Sequence, residues 1–224
     1  YVPNEENKMQ SIYCISGMGA DERIFEKLEF PAQYAVKYIP WLHPQPRESI
    51  RHYAERMASE ITDEDPVLVG VSFGGMMSVE ISKFRKVRKV VLLSSIKNKS
   101  EKPLYFRVAA SLKLNKIIHV RPYRFLEPIE NYNLGITSDE ERALARNFRR
   151  NWDPQYIDWA IDTVIHWQNE FTPESLVHIH GTKDHIFPLR YIGKALKVEG
   201  AGHMMVMSHA EEVSRLLNET LQPA

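Results

Sequence analysis

Short apolar runs and helical patterns alternate along most of the chain. Ser11–Ile15 is a β-branched and aromatic run that stops at Gly17, and Ala35–Ile39 alternates with period two before Pro40 closes it. Val67–Val71 is continuously apolar, the pattern of a strand covered on both faces. Val87 with Val90–Leu93 repeats it, as do Leu176–Ile179 and the weaker Ala195–Val198. Between these runs, Ile50, Tyr53, Ala54, Met57, Ala58 and Ile61 recur at i, i+3, i+4 and i+7 and predict an amphipathic helix. Residues from Phe73 to about Phe84 read as a largely buried helix, and Glu22–Leu28 as a short one. Ser208-His-Ala-Glu211 is a capping-box pattern ahead of Val213, Leu216 and Leu217. Strand–helix alternation of this kind predicts an α/β fold: about six mostly parallel strands flanked by helices.

One stretch breaks the rhythm. Residues 96–175 hold no convincing strand but carry helix starts: a second capping box at Ser138-Asp-Glu-Glu141, and Asp153-Pro154 as N-cap and first helical position. Beyond it, Trp152, Tyr156, Trp159 and Thr163 step along one face while Ile157, Ile161 and Val164 line another. The expected organisation is a core of residues 1–95 and 176–224 with a helical cap, 96–175, packed over the sheet. That segment holds 11 of the chain's 23 aromatics, Tyr105, Phe106 and Tyr123 among them, so an apolar pocket is one reading and simple packing the other.

Composition narrows the function. At 224 residues the chain suits one domain with an insertion, and its 29 basic and 29 acidic residues give no net charge. A nucleic-acid partner is therefore not expected, and no apolar run reaches the length of a membrane span. Cys14 stands alone, so no intrachain disulfide forms. Tyr1–Lys8 has no basic stretch leading into an apolar one, so no signal peptide is expected and a cytoplasmic location is.

The chemistry sits where strands end. Gly70-Val-Ser72-Phe-Gly74 follows an apolar strand and opens a helix, the strand–turn–helix context of a nucleophile elbow, where a side chain at 70 or 74 would collide with its neighbours. A serine hydroxyl needs a base, and the base needs an orienting group. Asp184 follows the strand Leu176–Ile179, and His203, in Gly200-Ala-Gly-His203, follows the last strand; Glu199 is the rival carboxylate. A parallel sheet puts every carboxyl end on one edge, so Ser72, Asp184 and His203 should converge. Ser16-Gly-Met-Gly19 ends the first strand, and the N–H groups of Met18 and Phe73 are the expected oxyanion donors.

These motifs together resemble the α/β-hydrolase superfamily, in particular its small cap-bearing serine hydrolases. The resemblance implies a Ser72–His203–Asp184 triad, an oxyanion hole at Met18 and Phe73, and no cofactor. Many relatives carry His-Gly where this chain has Ser16-Gly17, and His where it has Val71; the usual N-terminal antiparallel strand pair also has no room. Serine at 72 argues against dehalogenase and epoxide-hydrolase chemistry, because the relatives that do those use aspartate at this position. The expected activity is hydrolysis of a small or medium, apolar carboxylic ester, rising with pH through about 6–7 as a histidine base deprotonates. Alternatives are thioester hydrolysis, acyl transfer or lyase chemistry on the same triad, or a non-catalytic binding protein. The other features read as bland: His178 and His180 as strand residues rather than metal ligands, Met204, Met205 and Met207 as pocket wall or core, and Arg146, Arg149 and Arg150 with Glu140 and Glu141 as a solvated helix face.

Overall fold

The computed structural model describes residues 9–111 and 124–222. Six strands form one sheet: β1 (Gln10–Ile15), β2 (Tyr34–Tyr38), β3 (Val67–Val71), β4 (Lys89–Leu93), β5 (Leu176–Gly181) and β6 (Leu196–Val198). Their order is β2-β1-β3-β4-β5-β6 and every neighbouring pair is parallel. Among the described residues there is no antiparallel strand, and no helix is long and apolar enough to cross a membrane.

The helices are α1 (Ile50–Ala58), α2 (Phe73–Ser82), α3 (Leu104–Ser111), α4 (Glu127–Leu134), α5 (Asp139–Arg150), α6 (Pro154–His166), α7 (Met205–Ser208) and α8 (Ala210–Thr220). Strand periodicity divides the core in two. Tyr13, Ile15, Leu68, Val90 and Leu92 face α1, α2 and α6, whereas Ile12, Cys14, Val69, Val91 and Ile179 face the 3-10 turn Glu22–Phe25, α7 and α8. Because both faces are covered, β3 is buried along its whole length, which is why its sequence never alternates. Cys14 sits near the carboxyl end of β1, paired with Tyr38 of β2 and Val69 of β3, and burial pushes its thiol pKa up.

Helices α3–α6 all lie between β4 and β5 in the chain. Their starts follow local chemistry: Ser138 and Glu141 close a reciprocal capping box on α5, and Asp153 caps α6 with Pro154 in its first turn. The expected box at Ser208 does not form. The turn of α7 runs straight into α8, the Ser208 hydroxyl lies against the Met204 carbonyl and His209, and α8 starts with His209 in the cap position and no side-chain cap.

The strand order places the reversal of direction between β1 and β3: the chain moves outward from β1 to β2, then returns to add β3 on the other side. A crevice opens at such a point at the carboxyl edge. The loops after β1 and β3 flank it.

Candidate active site

Ser72 follows β3 directly and occupies φ 53°, ψ −117°, a backbone region that L residues rarely adopt and that costs about 1–3 kcal/mol. The surrounding structure holds it there. Ser72 N–H donates to the Leu93 carbonyl at 2.9 Å, and the Ser95 hydroxyl donates to the Ser72 carbonyl at 2.6 Å. The glycines are required by backbone approach: a Cβ at Gly70 would lie 2.3 Å from the Gly74 carbonyl oxygen, and one at Gly74 would lie 2.2 Å from that of Ile15. The helix therefore starts flush against the sheet edge and turns the Ser72 side chain away from it.

Asp184 and His203 reach the same point from the ends of β5 and β6. His203 Nε2 lies 2.9 Å from Ser72 Oγ, and its Nδ1 lies 2.8 Å from Asp184 Oδ2. An ionised carboxylate only accepts, so Nδ1 carries the proton and Nε2 is free to accept from the hydroxyl. Asp184 is 3% exposed. Burial alone would raise its pKa, but the neighbouring His203, with His180 and the Phe187 N–H, outweighs burial and holds it below the ordinary carboxylate value. The Ile186 and Phe187 N–H groups both donate to its Oδ1 at 2.8 Å. Glu199 is exposed and near Thr182, and the carboxylate beside His203 is that of Asp184.

The loop after β1 comes alongside. A Cβ at Gly17 would sit 3.7 Å from Ser72 Cβ, Met18 is half-buried, and Phe73 is the first residue of α2. Trp41 fixes this loop: its Nε1–H lies 2.9 Å from Ser16 Oγ and 3.1 Å from the Gly17 carbonyl, and its ring stacks on Phe73 at 5.1 Å. Trp41 escaped the sequence reading, although its place just after β2 puts it on the same carboxyl edge.

Beneath Asp184 lie two buried imidazoles. His180 Nε2 donates to the Phe187 carbonyl at 2.7 Å, which leaves its Nδ1 to accept from His178 Nε2 at 3.2 Å. Burial is the main reason both pKa values fall, that of His178 to about 3, so both rings are neutral. His185 is exposed, its ring tilted against that of Tyr132 on the surface.

Ser72 and His203 open on a cavity of about 330 Å³ lined also by Met18, Ile24, Ile136, Phe148, Trp152 and Met204. Of the aromatics in 96–175, Phe148 and Trp152 reach it. Tyr156, Trp159 and Trp167 pack in the core, Tyr105, Phe125, Tyr132 and Phe171 are exposed, and Tyr123 lies outside the described residues. Helix α4 is tied to the histidine loop: Met204 N–H donates to the Leu134 carbonyl at 2.9 Å, and Gly135 meets Gly202 so closely that a Cβ on either would be 2.8 Å from the other's Cα. The expectation of a solvated basic face on α5 needs correction. Arg146 and Arg150 are exposed, but Arg149 is 8% exposed and lines this cavity, because α5 turns that position toward α4 and Glu130.

The family model described as "Alpha/beta hydrolase family" matches residues 16–216, from the loop after β1 into α8. The chain belongs to the alpha/beta hydrolase family. It is by that membership a hydrolase enzyme. Solved α/β-hydrolase-like structures agree in fold. MenH from S. aureus superposes with TM-score 0.72 at 15% identity, covering 95% of this chain and 93% of that one. The bromoperoxidase from Bacillus anthracis gives 0.70 at 16% identity, with 96% and 92% covered. The thermophilic esterase from Thermogutta terrifontis gives 0.67 at 16% identity, with 95% and 89% covered. No curated protein sequence matches this hydrolase.

Proposed function

We propose that this hydrolase cleaves carboxylic esters through an acyl-enzyme, with Ser72 as nucleophile, His203 as base and Asp184 as the group that orients it. The observation that carries the reading is the unbroken chain Ser72 Oγ–His203–Asp184, at 2.9 and 2.8 Å, opening on an apolar cavity. His203 Nε2 takes the hydroxyl proton as Oγ bonds to the ester carbonyl carbon. Asp184, held ionised, stabilises the imidazolium that results. The carbonyl electron pair moves onto oxygen, where the N–H groups of Met18 and Phe73 receive it. Phe73 N–H stands at the start of α2, where helix N–H groups lack intrahelical acceptors. Collapse expels the alcohol with the proton from His203, and water, deprotonated by His203, then releases the acid. In this scheme helices α3–α6 serve as the cap over the cavity.

Asp184, held below the ordinary carboxylate value chiefly by His203, keeps the negative charge that orients the imidazole and balances its proton. The test is a fluorophosphonate probe read by intact mass, beside turnover of short-chain p-nitrophenyl esters. Wild type should take one label and hydrolyse the esters; Ser72→Ala should take none and lose about 10⁴-fold or more in kcat/KM. A folded wild type that takes no label, or a Ser72→Ala variant labelled as fully, overturns the reading.

A further inference from the structure

Arg149 is a charged side chain that the proposed chemistry leaves without a task. It is more than nine-tenths buried and lines the same cavity as Ser72 and His203. Its Nε donates to Glu130 Oε2 at 2.8 Å and its Nη2 to Asn131 Oδ1 at 2.7 Å. Nη1 is enclosed and has no hydrogen-bond partner among the described residues. A guanidinium has five N–H donors and cannot discharge itself by losing a proton, so two N–H groups of a permanent cation stand unpaired out of water. That arrangement costs free energy unless an acceptor arrives.

We infer that Arg149 is the binding site for a carboxylate at the far end of the substrate's acyl group, so that the esters taken are half-esters of short dicarboxylic acids. The inference rests on the reading of Ser72 as nucleophile, since that fixes which end of the substrate enters first. A carboxylate fits better than a neutral oxygen for three reasons. Glu130 and Asn131 engage the guanidinium through Nε and Nη2 and leave Nη1 to a further acceptor. The cavity around the pair is otherwise largely apolar, with Ile24, Ile136, Ala145 and Phe148 among its walls, and a charge-assisted bond gains strength there. The nearby cation Arg146 is exposed and paired with Glu127, so Arg149 is the arginine the cavity presents.

The subsite also gives Glu130 and Asn131 a task. Glu130 and Asn131 sit in one turn of α4 and hold the guanidinium from one side, while Leu134 at the end of that helix is tied to the His203 loop. The cation is thus held to α4 by side chains, and α4 to the loop of the reacting histidine by a main-chain contact.

The test compares ethanol release from monoethyl glutarate, which carries the carboxylate, from ethyl methyl glutarate, which carries a neutral acceptor, and from ethyl valerate, which carries neither. Wild type should favour the half-ester over ethyl valerate by about tenfold or more in kcat/KM. Arg149→Met should lower that ratio by about tenfold or more, and a ratio is indifferent to general loss of activity. Glu130→Gln, which keeps the cation and removes the competing carboxylate, should raise it; this variant and Arg149→Lys decide the matter if Arg149→Met does not fold. Calorimetric titration with glutarate, which needs no turnover, should show binding to wild type and none to Arg149→Met. If the probe labels Ser72 but the ratio is near one and unmoved in all three variants, the subsite is overturned and the nucleophile stands. Equal preference for ethyl methyl glutarate, lost with Arg149, overturns the carboxylate in favour of a neutral acceptor. Glutarate binding that depends on Arg149 in a protein that takes no label keeps the subsite and overturns the esterase.

Discussion

The two sides of the cavity are built by different means. On the elbow side, position is set by main chain against main chain: Gly70 against Gly74, Gly74 against the end of β1, Ser72 held through its own N–H and carbonyl. On the helical side, α4 and α5 meet through side chains, Arg149 with Glu130 and Asn131, and Arg146 with Glu127. Main-chain contacts cannot be exchanged without changing the fold, whereas side-chain pairs can be swapped one at a time. The machinery proposed to make and break bonds therefore stands on the inflexible side, and the groups that would choose the substrate stand on the replaceable one.

The contrast breaks most severely at Gly74. Gly74→Ala forces a methyl group to within 2.2 Å of a carbonyl oxygen that cannot move away, so urea unfolding should show a loss of about 3–5 kcal/mol or no folded protein. No single substitution among the exposed residues of α5 should come near that, and Arg150→Ala, read by the same unfolding curve, should stay within about 0.5 kcal/mol.

The next effect sharpens the comparison from below. His178 and His180 are neutral in the folded protein, with pKa values pushed down chiefly by burial, and take protons in the unfolded chain. The unfolded state then binds more protons below the ordinary histidine pKa, so stability falls as pH drops from about 6.5 towards the His178 value of about 3. Each contributes a slope of up to about 1.4 kcal/mol per pH unit. His178→Gln should remove one such contribution, visible as a shallower decline of unfolding free energy between pH 6 and about 4. An unchanged slope would mean that the ring is protonated in the fold.

The smallest expected effect is at Trp41. Trp41→Phe keeps a ring against Phe73 but loses the Nε1–H that meets Ser16 and Gly17. If the loop carries an oxyanion donor, kcat should fall about tenfold with KM little changed. A change confined to KM would move Trp41 to the substrate-binding wall.

Much of this was written locally in the chain. Val67–Val71 reads as a covered strand because nothing interrupts its apolar run, and the elbow reads from glycines whose spacing the turn demands. Asp184 and His203, though 112 and 131 residues from Ser72, could be placed because a parallel sheet has one carboxyl edge. What stayed hidden depends on how elements rotate against each other. Arg146, Arg149 and Arg150 look alike in a charged helix, and only the docking of α5 on α4 buries the middle one. The Ser208 cap failed for a related reason: a preceding helical turn had already engaged its hydroxyl. The aromatics of 96–175 mislead similarly, since composition cannot say which rings turn inward.

The single cysteine gives the molecule an internal clock. Cys14 lies one residue from the carboxyl end of β1, with a paired strand on either side, and burial suppresses its thiolate. An alkylating reagent can reach it when the layer over its face of the sheet, the 3-10 turn with α7 and α8, lifts away, and no second thiol competes for the label. The rate of its modification in native buffer thus measures how often that layer opens, and a ligand that binds the closed state should slow it by a factor of one plus the ratio of free ligand to Kd.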